Sequence, residues 1–151
     1  MNAISPSWSY NGRDRKDVLV RQIREAIAEE NRKDIIERLW KGRQERVRRG
    51  LPPGRTAPYG FRRNGKGLEG DRNEAETVRR IFELADAGRG SAAVARALNE
   101  AQVVRRNGQP WTQRQVAAVL ARGAFYRGGL IRYGRVTAVA DTLALLKPAA
   151  R

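Results

Sequence analysis

The chain has no cysteine and no histidine among its 151 residues. Without them it has no disulfide framework, no Cys/His zinc site, no thiol nucleophile and no imidazole base. We therefore expect no metal ion and no other cofactor. The longest unbroken apolar run, Val116 to Ala121, has six residues, whereas a membrane span needs about 20. No basic region precedes an apolar stretch at the N-terminus, so we expect an intracellular protein without a membrane partner.

Positive charge is the most unusual property of the sequence. The chain carries 31 Lys and Arg against 16 Asp and Glu, a formal net charge of +15, which indicates a polyanionic partner. Residues 38–66 contain ten cations and one anion, and residues 102–135 contain seven cations and no anion. Residues 67–101 between them contain five cations and seven anions. Segregated zones of this kind favour an electrostatic binding face over a surface with mixed charges.

The first third of the chain has the pattern of one long helix, from about Arg15 to Gly50. Apolar residues recur at multiples of four, which predicts a stripe that needs a partner, as in a coiled coil or a packing helix: Leu19, Ile23, Ile27, Ile35 and Leu39. Glu30, Asp34 and Glu37 share a face, and we interpret them as ion-pair partners of neighbouring cations rather than metal ligands. Arginines crowd the end of the helix before Pro52 and Pro53 stop it.

Shorter elements follow a basic arm at residues 51–57. Asn64-Gly65 predicts a hairpin over residues 58–68, and the repeat of Arg-Arg-Asn-Gly at residues 105–108 predicts a second basic hairpin tip. Asn73 is the predicted N-cap of a helix that ends at Gly88, and a second short helix begins at Ser91. Residues 125–135 are expected to form a strand or hairpin, and the segment from 137 onward has no informative pattern.

A third helix, predicted to be capped by Thr112 with Gln115, is the best candidate for reading DNA. Its outer face carries small and polar residues with Gln113 and Arg114 near the N-terminus, which fits a helix in the major groove. An ordinary surface helix is the alternative. Aromatic residues such as Tyr59 and Trp111 are interpreted as core residues. The predicted DNA-binding residues are Arg43, Arg46, Arg48, Arg49, Arg55, Arg62, Arg63, Arg105, Arg106, Thr112, Gln113, Arg114, Arg122, Arg127 and Arg132.

Several segments resemble serine site-specific recombinases. Residues 35–42 (IIERLWKG) resemble the end of their long helix, and residues 58–62 (PYGFR) resemble the start of their DNA-binding "recombinase" domain. The similarity continues in family order through Glu74-Ala75, Val78 to Leu84, Ala95 to Asn99, Gly108, Trp111, Val116, Leu120, Tyr126 and Gly128.

The resemblance implies a mainly α fold with small β-hairpins, in which a long N-terminal helix precedes a compact helix-turn-helix-like domain. The expected divisions are a leader and dimerisation helix (1–50), the arm (51–57), the DNA-binding domain (58–135) and a tail (136–151). The family's catalytic domain carries a serine nucleophile, and Ser5, Ser7 and Ser9 lack its motif. We therefore expect a truncated recombinase, inactive alone, of bacterial or phage origin and cytoplasmic.

The resemblance also implies the partners. The chain is expected to bind double-stranded DNA in site-specific recombination or integration, often for a mobile element. Its long helix is expected to pair with a second copy or with a catalytic recombinase subunit. The alternative is a helix-turn-helix transcriptional regulator, or another nucleic-acid-binding protein such as an RNA-binding protein, without a role in recombination.

Overall fold

The computed structural model describes residues 12–146 and divides the chain into two compact units, Met1–Lys41 and Gly42–Arg151. Ser5, Ser7, Ser9 and residues 147–151 lie outside the described residues. The predicted fold class is confirmed, because the structure is mostly helical with two small antiparallel hairpins and a long N-terminal helix. No helix within residues 12–146 has the length and apolar character required to cross a membrane.

The long helix, α1, spans Gly12–Arg48, as the apolar periodicity predicted. Its apolar side chains form two groups, because residues 29–34 between them are all polar. Leu19, Ile23 and Ile27 form the N-terminal apolar patch, and Ile35, Ile36, Leu39 and Trp40 form the C-terminal apolar patch. With 3.6 residues per turn, the two patches lie on nearly opposite faces of α1, so the single apolar stripe predicted from Leu19 to Leu39 is wrong. All seven side chains are exposed.

Ion pairs lie on the polar surface of α1, as predicted for Glu30 and Glu37. Glu37 accepts from Lys41 at 2.6 Å, and Glu30 lies 3.9 Å from Lys33. The hydrogen bond and charge of Lys41 lower the pKa of Glu37 below its usual value. These acids are therefore helix-surface partners at i, i+3 and i, i+4 spacing.

The C-terminal turn of α1 belongs to the second unit and ends in a Schellman motif. The Gly50 N–H donates to the Val47 carbonyl and the Leu51 N–H donates to the Arg46 carbonyl, both at 2.9 Å. Gly50 has a φ of 71°, a left-handed conformation that glycine adopts without steric cost. Because Val47 is fully buried, the helix end and the start of the arm are fixed to the domain core.

The first hairpin is confirmed. Strand β1 (Phe61–Asn64) pairs antiparallel with β2 (Gly67–Gly70), and Gly65 and Lys66 form the two-residue loop. The following helix, α2, spans Arg72–Asp86, and its N-cap is Asp71 rather than the predicted Asn73. Asp71 accepts from the Glu74 N–H at 3.0 Å, and its own N–H donates to the Gly60 carbonyl at 2.9 Å. The hairpin therefore closes directly onto the start of the helix.

Two further helices complete the predicted trio. Helix α3 spans Ser91–Glu100 and α4 spans Gln113–Ala121. Thr112 is confirmed as the N-cap of α4, since its side chain accepts from the Gln115 N–H and also contacts the Gln115 side-chain oxygen. The second Arg-Arg-Asn-Gly segment is not a hairpin tip. It forms a turn between α3 and α4, with no flanking strands, in which the Gly108 N–H donates to the Arg105 carbonyl.

The region after α4 differs from the predicted strand or hairpin at residues 125–135. Helix α5 occupies Gly123–Gly128, because Arg122 both ends α4 and starts the next helix. The second hairpin begins only at β3 (Leu130–Tyr133) and continues through β4 (Val136–Val139), followed by a 3-10 turn at Asp141–Leu143. Residues 136–146, set apart in the sequence as part of a tail, therefore contain a strand and the buried Leu143.

One apolar cluster joins these elements. It includes fourteen buried residues, from the end of α1 to the 3-10 turn: Val47, Phe61, Val78, Ile81, Phe82, Val94, Ala95, Leu98, Trp111, Val116, Val119, Tyr126, Ile131 and Leu143. Because Val116 and Val119 of α4 belong to this cluster, the core supports α4 on the side opposite its exposed face.

Gly129 is the position where a side chain is least tolerable. Its φ is 66°, and an added Cβ would collide with the Ala140 carbonyl, while the Ala140 N–H donates to the Gly129 carbonyl at 2.9 Å. We expect Gly129→Ala to lower the free energy of unfolding by at least about 2 kcal/mol in urea denaturation. Gly128→Ala is the matched control, because nothing lies within 4 Å of its Cβ position. Equal stability of the two variants would contradict this assignment.

Candidate nucleic-acid interface

The exposed face of α4, here called the reading face, consists of Gln113, Arg114, Ala117, Ala118 and Ala121. The opposite side of the helix buries Val116 and Val119 in the core. Small side chains in the middle of the reading face leave its backbone approachable, and Gln113 and Arg114 stand at its N-terminal end. This face therefore has the shape and the hydrogen-bonding groups that contact base edges in a major groove.

Arg106, a predicted DNA-binding residue, has a half-exposed side chain that makes several contacts with the rest of the domain. Its guanidinium pairs with Glu74 through two bonds, Nε to Oε1 at 2.8 Å and Nη2 to Oε2 at 2.5 Å. It also donates to the carbonyls of Ala57, Pro58 and Phe61, at 3.1, 3.3 and 2.7 Å. The hydrogen bond that Arg106 donates to Glu74 raises the pKa of Arg106. Arg106 thus joins the turn after α3 to α2 and to residues 57–61.

Three other predicted arginines donate side-chain hydrogen bonds to backbone carbonyls of the arm, the first hairpin loop and the segment before α4. Arg46 donates to the Pro52 carbonyl at 2.9 Å and to the Lys66 carbonyl at 3.0 Å. Arg63 donates to the Gly54 carbonyl, and Arg105 donates to the Pro110 carbonyl. A carbonyl accepts a hydrogen bond without cancelling the charge, so these guanidinium groups remain full positive charges at fixed positions.

A further group of predicted arginines lies in exposed contacts on the surface. Arg48 and Arg49 both pair with Glu45, Arg62 pairs with Glu69, and Arg127 pairs with Asp86 at 2.8 Å. Arg43 donates to the Tyr133 hydroxyl, and Arg132 donates to the Gly134 carbonyl. Exposed pairs of this kind contribute little to stability, and such arginines can exchange a carboxylate for a phosphate at low cost.

Three predicted arginines have side chains that make no hydrogen bond or ion pair within the described residues, Arg55, Arg114 and Arg122. All three are exposed. Arg55 lies in the arm, Arg114 lies on the reading face, and Arg122 lies at the junction of α4 and α5. These guanidinium groups keep all their donors available for a ligand.

A cavity of about 470 Å³, here called the aromatic cavity, lies beside the reading face. Tyr59, Trp111 and Tyr126 line it together with Arg105, Arg106, Asn107, Gln115, Ala118, Val119 and Arg122. The sequence did not predict this cavity, because its walls come from four separate segments of the chain. The repeated Arg-Arg-Asn-Gly and the nearby Trp111 were the only local signals.

Hydrogen bonds fix the aromatic walls of the cavity. The Tyr126 hydroxyl donates to the Tyr59 carbonyl at 2.6 Å, and burial raises the pKa of Tyr126 to about 12. The Asn99 side chain holds the Trp111 backbone with two hydrogen bonds. It accepts from the backbone N–H at 2.8 Å and donates to the backbone carbonyl at 2.9 Å. Tyr59 and Trp111 meet edge to face, with ring centroids 5.0 Å apart. Trp111 and Tyr126 are core residues, as predicted, and each also presents a surface to the cavity.

Comparison with known proteins gives one family. The sequence profile of the Recombinase family matches residues 72–145, from the start of α2 through the 3-10 turn. No curated protein and no solved structure gives a significant match.

The contacts of Arg106 predict a structural role that its neighbour lacks. We expect Arg106→Met to lower the free energy of unfolding by about 1–3 kcal/mol, because Glu74 and three carbonyls lose a charged donor in a half-exposed site. Arg105→Met is the matched control, since Arg105 donates only to the Pro110 carbonyl. Chemical denaturation measures both variants, and a loss for Arg105→Met as large as that for Arg106→Met would contradict the assignment.

Proposed function

Residues 72–145 form a Recombinase domain, which confirms the resemblance to serine recombinases, and on that premise we propose that this chain binds double-stranded DNA in site-specific recombination. The observation that carries the proposal is the reading face of α4, which lies within the matched residues. DNA integration for a mobile element, in the bacterial cytoplasm, is the proposed setting. The family assignment favours this role over that of an unrelated transcriptional regulator.

The helix pair α3 and α4 supports a helix-turn-helix-like mode of binding. Helix α3 packs through Val94 and Leu98 into the same core as Val116 of α4, while the reading face points away from that core. We propose that α4 lies in the major groove, where Arg114 contacts guanine and Gln113 contacts adenine. The connection between the helices is longer than the usual three or four residues, and Arg106 fixes it.

Phosphate contacts are assigned to the remaining cations. We propose that Arg55 and Arg122 contact the sugar-phosphate backbone directly, together with the exposed Arg43, Arg48, Arg49, Arg62, Arg63, Arg127 and Arg132. Arg46 and Arg105 contribute positive potential from fixed positions, Arg106 is paired with Glu74 and fixes the turn before α4, and Thr112 sets the start of α4. Phosphate contacts set register and affinity, whereas base contacts specify sequence.

A binding experiment with two classes of variant tests this proposal. We expect affinity for any duplex to fall steeply between low and high salt, since several phosphate contacts release counterions. Arg114→Ala is expected to reduce preference for a selected duplex over a random one by about ten-fold, whereas Arg48→Ala weakens both duplexes alike. Arg80→Ala is the control, since Arg80 is an exposed arginine on α2 within residues 67–101, where anions outnumber cations.

Fluorescence anisotropy at several salt concentrations gives both measurements. A nearly flat salt dependence would remove duplex binding from consideration. Equal effects of Arg114→Ala on the selected and random duplexes would remove the assignment of base contact to α4 while leaving phosphate contact in place.

The N-terminal apolar patch of α1 supports association with a second subunit, either another copy or a catalytic recombinase subunit. In an antiparallel pair centred on Ile23, Leu19 would face Ile27 of the partner subunit. Lys16 lies on the same face one turn before Leu19, and Glu30 lies one turn after Ile27. The same pairing therefore places Lys16 opposite a carboxylate, so its charges are complementary.

Sedimentation velocity tests self-association through this face. We expect a dimer that Ile23→Asp converts to a monomer, because a charge in the centre of the apolar seam cannot be hydrated in the pair. Ile36→Asp is the matched control, since Ile36 is exposed to a similar degree and lies on the opposite face. Loss of the dimer in both variants, or in the control alone, would contradict the proposed seam.

A further inference from the structure

The aromatic cavity has a lining that suits a ligand with an aromatic ring and a negative charge. Most of its lining surface is apolar, Tyr59, Trp111, Ala118 and Val119 are among its lining residues, and no carboxylate is among them. Its volume of about 470 Å³ lies within the range of small-molecule sites, which is roughly 300–1,000 Å³. Three arginines and no carboxylate line the cavity, which disfavours a cationic ligand.

Hydrogen-bond donors are left over around this cavity. Arg122 makes no side-chain hydrogen bond within the described residues, and Arg105 uses only its Nε, on the Pro110 carbonyl. Gln115 and Asn107 use their side-chain oxygens, on the Thr112 hydroxyl and the Gln109 N–H, so their amide nitrogens remain available. Guanidinium groups match phosphate oxygens, and side-chain amides match the edge of adenine.

From this lining we propose that the aromatic cavity is a binding site for a single nucleotide, with the base against Tyr59 and Trp111 and the phosphate on Arg122. Adenosine monophosphate has the required ring, acceptors and charge. The nucleotide could be free, or it could be an extrahelical nucleotide of a DNA strand lying along the reading face, since Ala118 belongs both to that face and to the cavity. The chemistry recognised is the same in both cases.

Isothermal titration of the full chain with adenosine monophosphate, adenosine and inorganic phosphate tests the site. We expect saturable binding of the monophosphate, at least about ten-fold tighter than either fragment, because base and phosphate contacts act together. Ala118→Leu is expected to abolish this binding by filling the cavity from an exposed position. Arg122→Gln is expected to weaken the monophosphate about ten-fold, the effect of one charged hydrogen bond, and to leave adenosine unchanged.

Arg80→Gln is the matched control for charge, since Arg80 is exposed on α2 outside the cavity, and thermal melting by circular dichroism verifies that each variant is folded. A duplex that carries 2-aminopurine distinguishes the two sources, because the fluorescence of this base rises when it leaves the stack. If Ala118→Leu suppresses the rise while the variant still binds the duplex in the anisotropy experiment, and the free monophosphate does not bind, the site is assigned to an extrahelical nucleotide.

Absence of both signals overturns the proposal, as does adenosine monophosphate binding that Ala118→Leu leaves intact. The titration with free nucleotide uses no duplex, so its failure leaves the proposed DNA binding untouched. Loss of duplex affinity in the anisotropy experiment likewise leaves the free-nucleotide result standing.

Discussion

The contact between Arg106 and Glu74 is the constraint on which the basic arm, the first hairpin and the start of α4 depend. Glu74 is held by its own helix, where the Asp71 cap sets the first turn of α2, and it also accepts from the Gly60 N–H at 2.9 Å. Arg106 extends the same contact to three carbonyls at residues 57–61. One ion pair thus fixes the end of the arm, the start of the first hairpin and the turn that leads into α4.

The position of α4 follows from that constraint together with the Asn99 clamp. Arg106 anchors the turn on one side, and two hydrogen bonds between the Asn99 side chain and the Trp111 backbone anchor it just before Thr112 caps the helix. The helix therefore begins at a point that α2, α3 and the arm determine jointly. A reading face carried on a short helix needs such support, because a nine-residue helix has little stability of its own.

Local pattern was sufficient for much of this fold. Apolar spacing predicted α1 through α4, Asn64-Gly65 predicted the first hairpin, and Thr112 with Gln115 predicted the cap of α4. The errors occurred where distant contacts decide: Asp71 rather than Asn73 caps α2 because the hairpin closes onto Asp71. Likewise, an arginine in a basic segment gives no sign that its partner is a glutamate 32 residues away, so the contact between Arg106 and Glu74 was not predicted. The cavity was missed for the same reason.

The arginines therefore divide into two roles that net charge alone cannot separate. Arg46, Arg105 and Arg106 donate hydrogen bonds to carbonyls of the protein itself. Arg46 and Arg105 are bonded to neutral carbonyls, so they keep their charge and maintain the positive field that attracts a polyanion. Arg114 and Arg122 keep their donors free beside the reading face and the aromatic cavity. Long-range attraction needs only the charge, whereas recognition needs a free guanidinium in a fixed place. The arginines bonded within the protein fix the positions of the neighbouring segments. Arg114 and Arg122 are attached to those segments, and their guanidinium groups are available to contact a ligand.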